Sequence, residues 1–210
     1  MIEQPLPEDE CHTGNVVQLS RPLFGETVPE GFHYRLDFVT AAEEVALVDD
    51  LSRIEFSLFE MRGVVARRRV AFFGRSYDRA TVAPPLPSFL IPLRARVAAW
   101  ANIRADDFAM ALINEYRPGA PIGWHRDAPQ YDITAGISLL STCRMKFRPY
   151  IRPDTRASGA GEKRIATHEI ALEPRSAYLM TDQSRNAYEH HIPAVTTLRY
   201  SITFRSIRHP

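Results

Sequence analysis

The chain has 210 residues, enough for a single domain with a sizeable core, and its 45% hydrophobic and 24% charged content is that of an ordinary globular protein rather than a disordered or membrane class. A net charge of +1 supplies no global basic field, so any nucleic-acid binding has to come from local patches. Cys11 and Cys143 fit no metal or disulfide spacing, and no apolar run reaches about 18 residues, so a soluble, cytoplasmic, reduced protein is expected, and a monomer.

Residues 1–20 read as a flexible, acidic, Pro-containing arm, with Arg21 to Phe24 as a first anchor and residues 21–210 as one domain. Alternation from Phe32 to Val39 predicts a strand. Thr40 and Glu43 form a capping box opening a helix whose apolar residues Val45, Val48, Leu51 and Ile54 fall at helical spacing. From Arg67 to Tyr77, arginines are interleaved with Phe72, Phe73 and Tyr77 around a Gly-containing turn. That composition suits phosphate contact and base stacking, and equally a half-buried hairpin with a solvated basic face. A Pro-rich stretch from Pro84 to Pro87 then introduces a helix with Leu90, Leu93, Val97 and Trp100 on one stripe.

The run from Phe108 leads into Asn114-Glu115-Tyr116-Arg117-Pro118-Gly119 and then Trp124-His125-Arg126-Asp127, a strand, a Pro-Gly turn and a second short strand. Residues two apart on a strand share a face, so His125 and Asp127 converge, as do Asn114 and Tyr116. An imidazole and a carboxylate on one face are two thirds of a 2-His-1-carboxylate triad for Fe(II); alone, such a pair also occurs by chance as a satisfied His beside a turn Asp.

Further strands are expected over residues 134–140, 144–150, 164–172 and 176–180, with a loop at 152–164. Arg144, Lys146 and Arg148 share a face, either as a second phosphate-facing patch or as charges defending an exposed edge. In the last strand Arg199, Ser201, Thr203 and Arg205 lie opposite Leu198, Tyr200, Ile202 and Phe204. Two inward arginines are costly unless each meets an anion. A dicarboxylate that also chelates iron through a 2-oxo group satisfies that count, and 2-oxoglutarate is such a molecule.

These pieces in this order resemble the AlkB family of Fe(II)/2-oxoglutarate dioxygenases: Asn114-x-Tyr116 with Pro118-Gly119, His125-x-Asp127, Gly136-Ile137-Ser138-Leu139, Arg185-x-x-Tyr188-x-His190-x-Ile192-Pro193, and Arg199 to Arg205. The resemblance covers about residues 108–208, with Arg69 to Tyr77 more loosely similar to the family's nucleotide-recognition lid, about residues 60–80. It implies a mainly β (α+β) fold, a double-stranded β-helix or jelly-roll backed by helices. It implies His125, Asp127 and His190 as iron ligands, His190 being preferred to His191 because the family's distal His stands three residues before a Pro. Arg199 with Tyr116 would take the distal carboxylate of 2-oxoglutarate, and Arg205 with Asn114 would sit near its C1 carboxylate. The implied cosubstrates are 2-oxoglutarate and O2, with Fe(II) as cofactor.

The function the resemblance implies is oxidative dealkylation of N-methyl or etheno bases in single- or double-stranded DNA or RNA, releasing an aldehyde, succinate and CO2. Phe72, Phe73 and Tyr77 would then be lid residues and Arg67, Arg68, Arg69, Arg126 and Arg185 the nucleic-acid side of the site. The same oxidation of a protein side chain or small molecule, and a catalytically silent nucleic-acid-binding module, are the alternatives. Three positions depart from the family pattern: Pro129 replaces a frequent acidic residue, Asp182 a frequent Gly and Tyr188 a Trp. These bear on substrate rather than on iron.

Overall fold

A computed structural model of the chain describes residues 28–61, 64–75, 83–151 and 166–208. The N-terminal arm, Tyr77 and the whole loop expected at 152–164 lie outside the described residues. Strand β1 (Phe32–Arg35) is shorter than its alternation suggests, because Asp37 takes φ +46° and turns the chain, sending Phe38 and Val39 into the core. Thr40 then caps α1 (Ala41–Ser52): its hydroxyl accepts from the Glu43 amide at 3.2 Å, and the Glu43 carboxylate accepts from the Thr40 amide at 2.7 Å. The buried stripe of this helix is Leu47 and Leu51, with Val48 half-covered. Val45, expected inside, is 71% exposed, since two residues of helix turn it about 200° from Leu47.

The chain continues through β2 (Ser57–Met61) and β3 (Val64–Gly74), an antiparallel pair in which Met61 stands opposite Val64, so Gly74, expected in a turn, instead ends β3. Helix α2 (Ile91–Trp100) follows a 3-10 turn at Ser88–Leu90 and carries Leu93 and Val97 inward, with Trp100 against Phe38 at 5.4 Å. Then come β4 (Phe108–Tyr116), β5 (Ile122–His125), β6 (Tyr131–Leu139), β7 (Cys143–Pro149), β8 (His168–Leu172), β9 (Ala177–Met180), the single-turn α3 (Asp182–Asn186), β10 (Tyr188–Ile192) and β11 (Arg199–Ile207).

Among the described residues the strands form a seven-stranded sheet, β1-β9-β6-β11-β4-β3-β2, and a four-stranded sheet, β5-β10-β7-β8, with antiparallel pairing throughout. This is the expected jelly-roll of two antiparallel sheets. Helices α1 and α2 cover the outer face of the larger sheet, where Leu51, Leu93 and Val97 join Ile113, Ile202 and Phe204 in one core. Each such buried side chain contributes roughly 1.5–3 kcal/mol. A second core, with Tyr116, Met145, Phe147 and Tyr178, lies between the sheets. The long, doubly paired β11 therefore has one face sealed by helices and the other aimed between the sheets, where Arg199, Ser201, Thr203 and Arg205 are all buried.

Candidate metal and cosubstrate site

Strands β5 and β10 pair so that His125 stands opposite His190, and their rings lie 4.1 Å apart. Asp127 follows two residues after His125, and one ligand atom from each of the three lies within 4.8 Å of the others. His125 Nδ1 donates to the Gly123 carbonyl at 2.8 Å, which leaves the Nε2 lone pair available to a metal. Burial lowers the pKa of His125 and pushes His190 down to about 3, so both rings are neutral donors at physiological pH. Burial by itself would raise the pKa of Asp127, but the Arg205 guanidinium and the neighbouring imidazoles outweigh it and hold the carboxyl well below the usual carboxylate range. Arg205 Nη2 donates to Oδ1 at 2.8 Å and Thr134 Oγ1 to Oδ2 at 2.8 Å, fixing the carboxylate from both sides. Two neutral imidazoles and one ionised carboxylate are the donor set of an Fe(II) facial triad. His191 is engaged elsewhere: its Nδ1 donates to the Ile122 carbonyl at 2.7 Å and its ring packs on Trp124 at 5.1 Å.

Arg199 is completely buried and stands opposite Tyr116 in the β11–β4 register, its guanidinium 5.1 Å from the Tyr116 ring. Its Nε donates to Ser138 Oγ at 3.1 Å, and among the described residues neither of its terminal nitrogens has a hydrogen-bond partner. An unpaired buried guanidinium costs several kcal/mol, so this arrangement fits a carboxylate supplied by a ligand. Asn114, which stands opposite Ser201, two residues along from the Arg199–Tyr116 pair, accepts from Arg68 Nε at 3.1 Å, while Arg205 is committed to Asp127. Thr134 was not singled out from the sequence, and Ser138 was quoted only within the Gly136–Leu139 motif, without a role at the site. The signal was available, since both share a strand face with Gly136.

A cavity of about 610 Å³ opens over these groups. Its walls include Phe59, Arg67, Arg68 and Phe72 from the β2–β3 hairpin and Trp124 and Arg126 from the facing side. Arg126 lies 3.6 Å above the Tyr150 ring. Several expectations for the nucleic-acid side need correction. Arg69 and Phe73 fall on the opposite face of β3: Arg69 pairs with Glu115, Nη2 to Oε1 at 2.8 Å, and Phe73 is buried in the helix-side core. Arg185, expected on the nucleic-acid side, lies in α3, is buried and donates to the carbonyls of Ala128 and Tyr131 at 2.6 and 2.8 Å, clamping the segment that follows Asp127. Arg144, Lys146 and Arg148 are neither a phosphate patch nor an edge defence. Strand β7 is interior to its sheet, and its cations are matched by Glu169 and Glu189.

Residues 60–205 match the family model of the 2OG-Fe(II) oxygenase superfamily. The chain belongs to that superfamily. As a 2OG-Fe(II) oxygenase it is 29% identical over 208 residues to the Alkylated DNA repair protein ALKBH8 homolog of Arabidopsis thaliana, covering 83% of this chain and 58% of that protein. It is 26% identical over 182 residues to the Probable RNA/DNA demethylase ALKBH6 of Danio rerio, covering 86% and 76%. The chain thus spans little more than half the length of the Arabidopsis relative. Among solved structures, OsALKBH1 superposes with a TM-score of 0.61 at 13% identity, covering 86% of this chain and 100% of that one. A prolyl-4-hydroxylase of Pseudomonas putida gives 0.60 at 14% identity, covering 85% and 93%. The resemblance to the AlkB family read from the motifs is borne out by these relatives. The superfamily implies Fe(II), 2-oxoglutarate and O2, and the triad with the orphaned Arg199 donors fits that set.

Proposed function

We propose that this oxygenase removes alkyl groups from alkylated bases in DNA or RNA. The observation that carries the reading is the cavity of about 610 Å³ over the triad, roofed by the aromatic and basic side chains of the β2–β3 hairpin. A pocket of that size accepts a group as large as a nucleobase. Phe59 and Phe72 offer apolar ring surface for stacking, and the exposed Arg67 and Arg126 sit where a backbone phosphate would pass. The two named relatives are described as an alkylated DNA repair protein and a probable RNA/DNA demethylase, which supports the same reading.

In this reading His125, Asp127 and His190 hold the iron, Arg199 and Tyr116 the distal carboxylate of 2-oxoglutarate, and Asn114 lies beside them. Bound Fe(II), 2-oxoglutarate and O2 supply oxidation of the alkyl C–H bond, with succinate and CO2 leaving from the cosubstrate and the alkyl carbon leaving as an aldehyde. The chain's own residues orient and enclose. Arg205 and Thr134 keep Asp127 ionised and fixed, Arg185 holds the segment after it, and the apolar walls exclude water. The base must leave its stack to enter, which favours single-stranded or already damaged positions.

The test is succinate release with Fe(II), ascorbate and 2-oxoglutarate, with and without single-stranded oligonucleotides carrying methyl or etheno bases. Stimulation by modified strands, with the base mass restored and both effects lost in His125→Ala, is the expected result. Basal succinate that no modified strand stimulates would overturn the reading and direct the search to a protein side chain or small molecule.

A further inference from the structure

Of the three metal ligands, Asp127 is the one that lies outside a strand. His125 ends β5 and His190 sits within β10, so pairing of the smaller sheet fixes both backbones, whereas Asp127 stands two residues beyond the end of β5. Its carboxylate is held from the larger sheet instead. Register puts Thr134 of β6 directly opposite Arg205 of β11, and the two take one oxygen each. Arg205 Nη2 donates to Oδ1 and Thr134 Oγ1 donates to Oδ2, both at 2.8 Å. Thr134 is 1% exposed, so water does not compete for that bond.

A second hydroxyl stands four residues further along the same face of β6. Ser138 Oγ accepts from Arg199 Nε at 3.1 Å, so the strand sets one hydroxyl beside each buried arginine site of β11. The two hydroxyls work in opposite directions. Ser138 accepts, and orients a guanidinium whose terminal nitrogens are left for a ligand. Thr134 donates, and acts on a metal ligand directly. A β-branched side chain has few χ1 choices, so the Thr134 hydroxyl is aimed before any metal arrives.

We infer that Thr134 is a positioning residue of the metal centre, holding Asp127 turned so that it offers one oxygen to the metal and not two. Carboxylates bind cations through either one oxygen or both. A facial triad works by leaving coordination positions open, and a second oxygen from Asp127 would fill one of them. With a guanidinium on Oδ1 and a hydroxyl on Oδ2, turning both oxygens toward one metal breaks at least one of these bonds. Arg205 alone would leave the carboxylate free to swing about its Oδ1 contact. The role concerns the ligand set and holds whatever the substrate is.

The experiment is anaerobic Fe(II) titration of the full chain and of Thr134→Val, Thr134→Ser and Ser138→Ala. Thr134→Val keeps the shape and removes the donor, and should weaken Fe(II) binding about 10- to 100-fold. Thr134→Ser keeps the hydroxyl and should recover most of that loss. Ser138→Ala should leave Fe(II) affinity unchanged and raise KM for 2-oxoglutarate, which separates the two hydroxyls. Fe(II) bound by a folded Thr134→Val as tightly as by the unsubstituted chain would overturn the inference. So would a Thr134→Ser chain as weak as Thr134→Val, because the loss would then come from packing. If Thr134→Val does not fold, a crystal structure of the unsubstituted chain with Mn(II) decides. One Asp127 oxygen on the metal with the Thr134 bond intact is expected there, and a carboxylate bound through both oxygens would overturn the role. None of these readouts uses an alkylated base, so failure of the dealkylation reading and failure of this one are told apart.

Discussion

Gly136 lies directly against the ring of Tyr178: a Cβ at position 136 would stand 2.3 Å from Tyr178 Cζ. The two residues face each other across the β6–β9 register, and Tyr178 lines the cavity between the sheets. Only a hydrogen fits there. Gly136→Ala should force the ring toward the cosubstrate space and cost about 1–3 kcal/mol by overpacking. Urea unfolding of the variant measures this, together with a higher KM for 2-oxoglutarate. An unchanged midpoint would mean that the ring moves without resistance.

The two adjacent histidines of β10 should behave oppositely. His190 faces His125 and Asp127, whereas His191 donates to Ile122 on the far side of the strand. Anaerobic Fe(II) titration should show stoichiometric uptake in His191→Ala and none in His190→Ala or His125→Ala. Metal held at a hundred times its Kd should raise folding stability by about 2.7 kcal/mol, and a chelator should remove that gain.

The contrast between β11 and β3 explains how much of the site was legible in the sequence. In β11 a run of aliphatic and aromatic residues alternates with Arg, Ser, Thr and Arg, so the sheet's two faces separate by chemistry alone, and both sets fall where alternation puts them except Leu198, which precedes the strand and is exposed. In β3 the three successive arginines and two successive phenylalanines place one of each kind on both faces. Local pattern cannot say which Arg looks inward. That is decided by Glu115 and Asn114, 46 residues along the chain, which take Arg69 to one face and Arg68 to the other. Arg185 was misread for the same reason: its partners are the backbone carbonyls of a distant segment, which carry no sequence signature.

The Arg69–Glu115 pair predicts an acid-side signature. Arg69, with Arg117 also contributing, lowers the Glu115 pKa from its ordinary value of about 4.3 against the opposing effect of burial. A carboxyl with a depressed folded-state pKa contributes stability above its unfolded pKa and loses it as pH falls through the folded value. Glu115→Gln should therefore be less stable than the unsubstituted chain by roughly 1–2 kcal/mol at pH 7, since Arg69 is partly exposed and the pair is correspondingly screened. The gap should stay constant down to about pH 5 and close below about pH 4. Chemical denaturation across that range tests it, and a gap independent of pH would assign the loss to packing instead.

Arg185 should act on metal affinity and not on nucleic-acid affinity. Its Nη2 holds two carbonyls in the segment immediately after Asp127, so Arg185→Gln frees that segment and should weaken Fe(II) binding about 10- to 100-fold. A phosphate contact would instead reduce the salt dependence of oligonucleotide binding by close to one charge. Measuring the salt slope of the variant separates the two roles, with no change in slope expected.

Asp182 stands where the family pattern often has Gly, and its backbone retains the conformation that glycine favours, with φ +43°. Asp tolerates this region better than most residues because its short polar side chain bonds locally, here accepting from Thr181 Oγ1 at 3.0 Å. Asp182→Gly removes the strain but adds freedom to the unfolded chain, and the two effects nearly offset, so stability should change by no more than about 0.5 kcal/mol. Asp182→Val has no such compensation and should lose about 1–2 kcal/mol. The position opens α3, which carries Arg185 and leads into β10 with His190. The valine variant should therefore also bind Fe(II) more weakly, whereas the glycine variant should not. Loss of stability in Asp182→Val with metal affinity intact would separate this turn from the metal site.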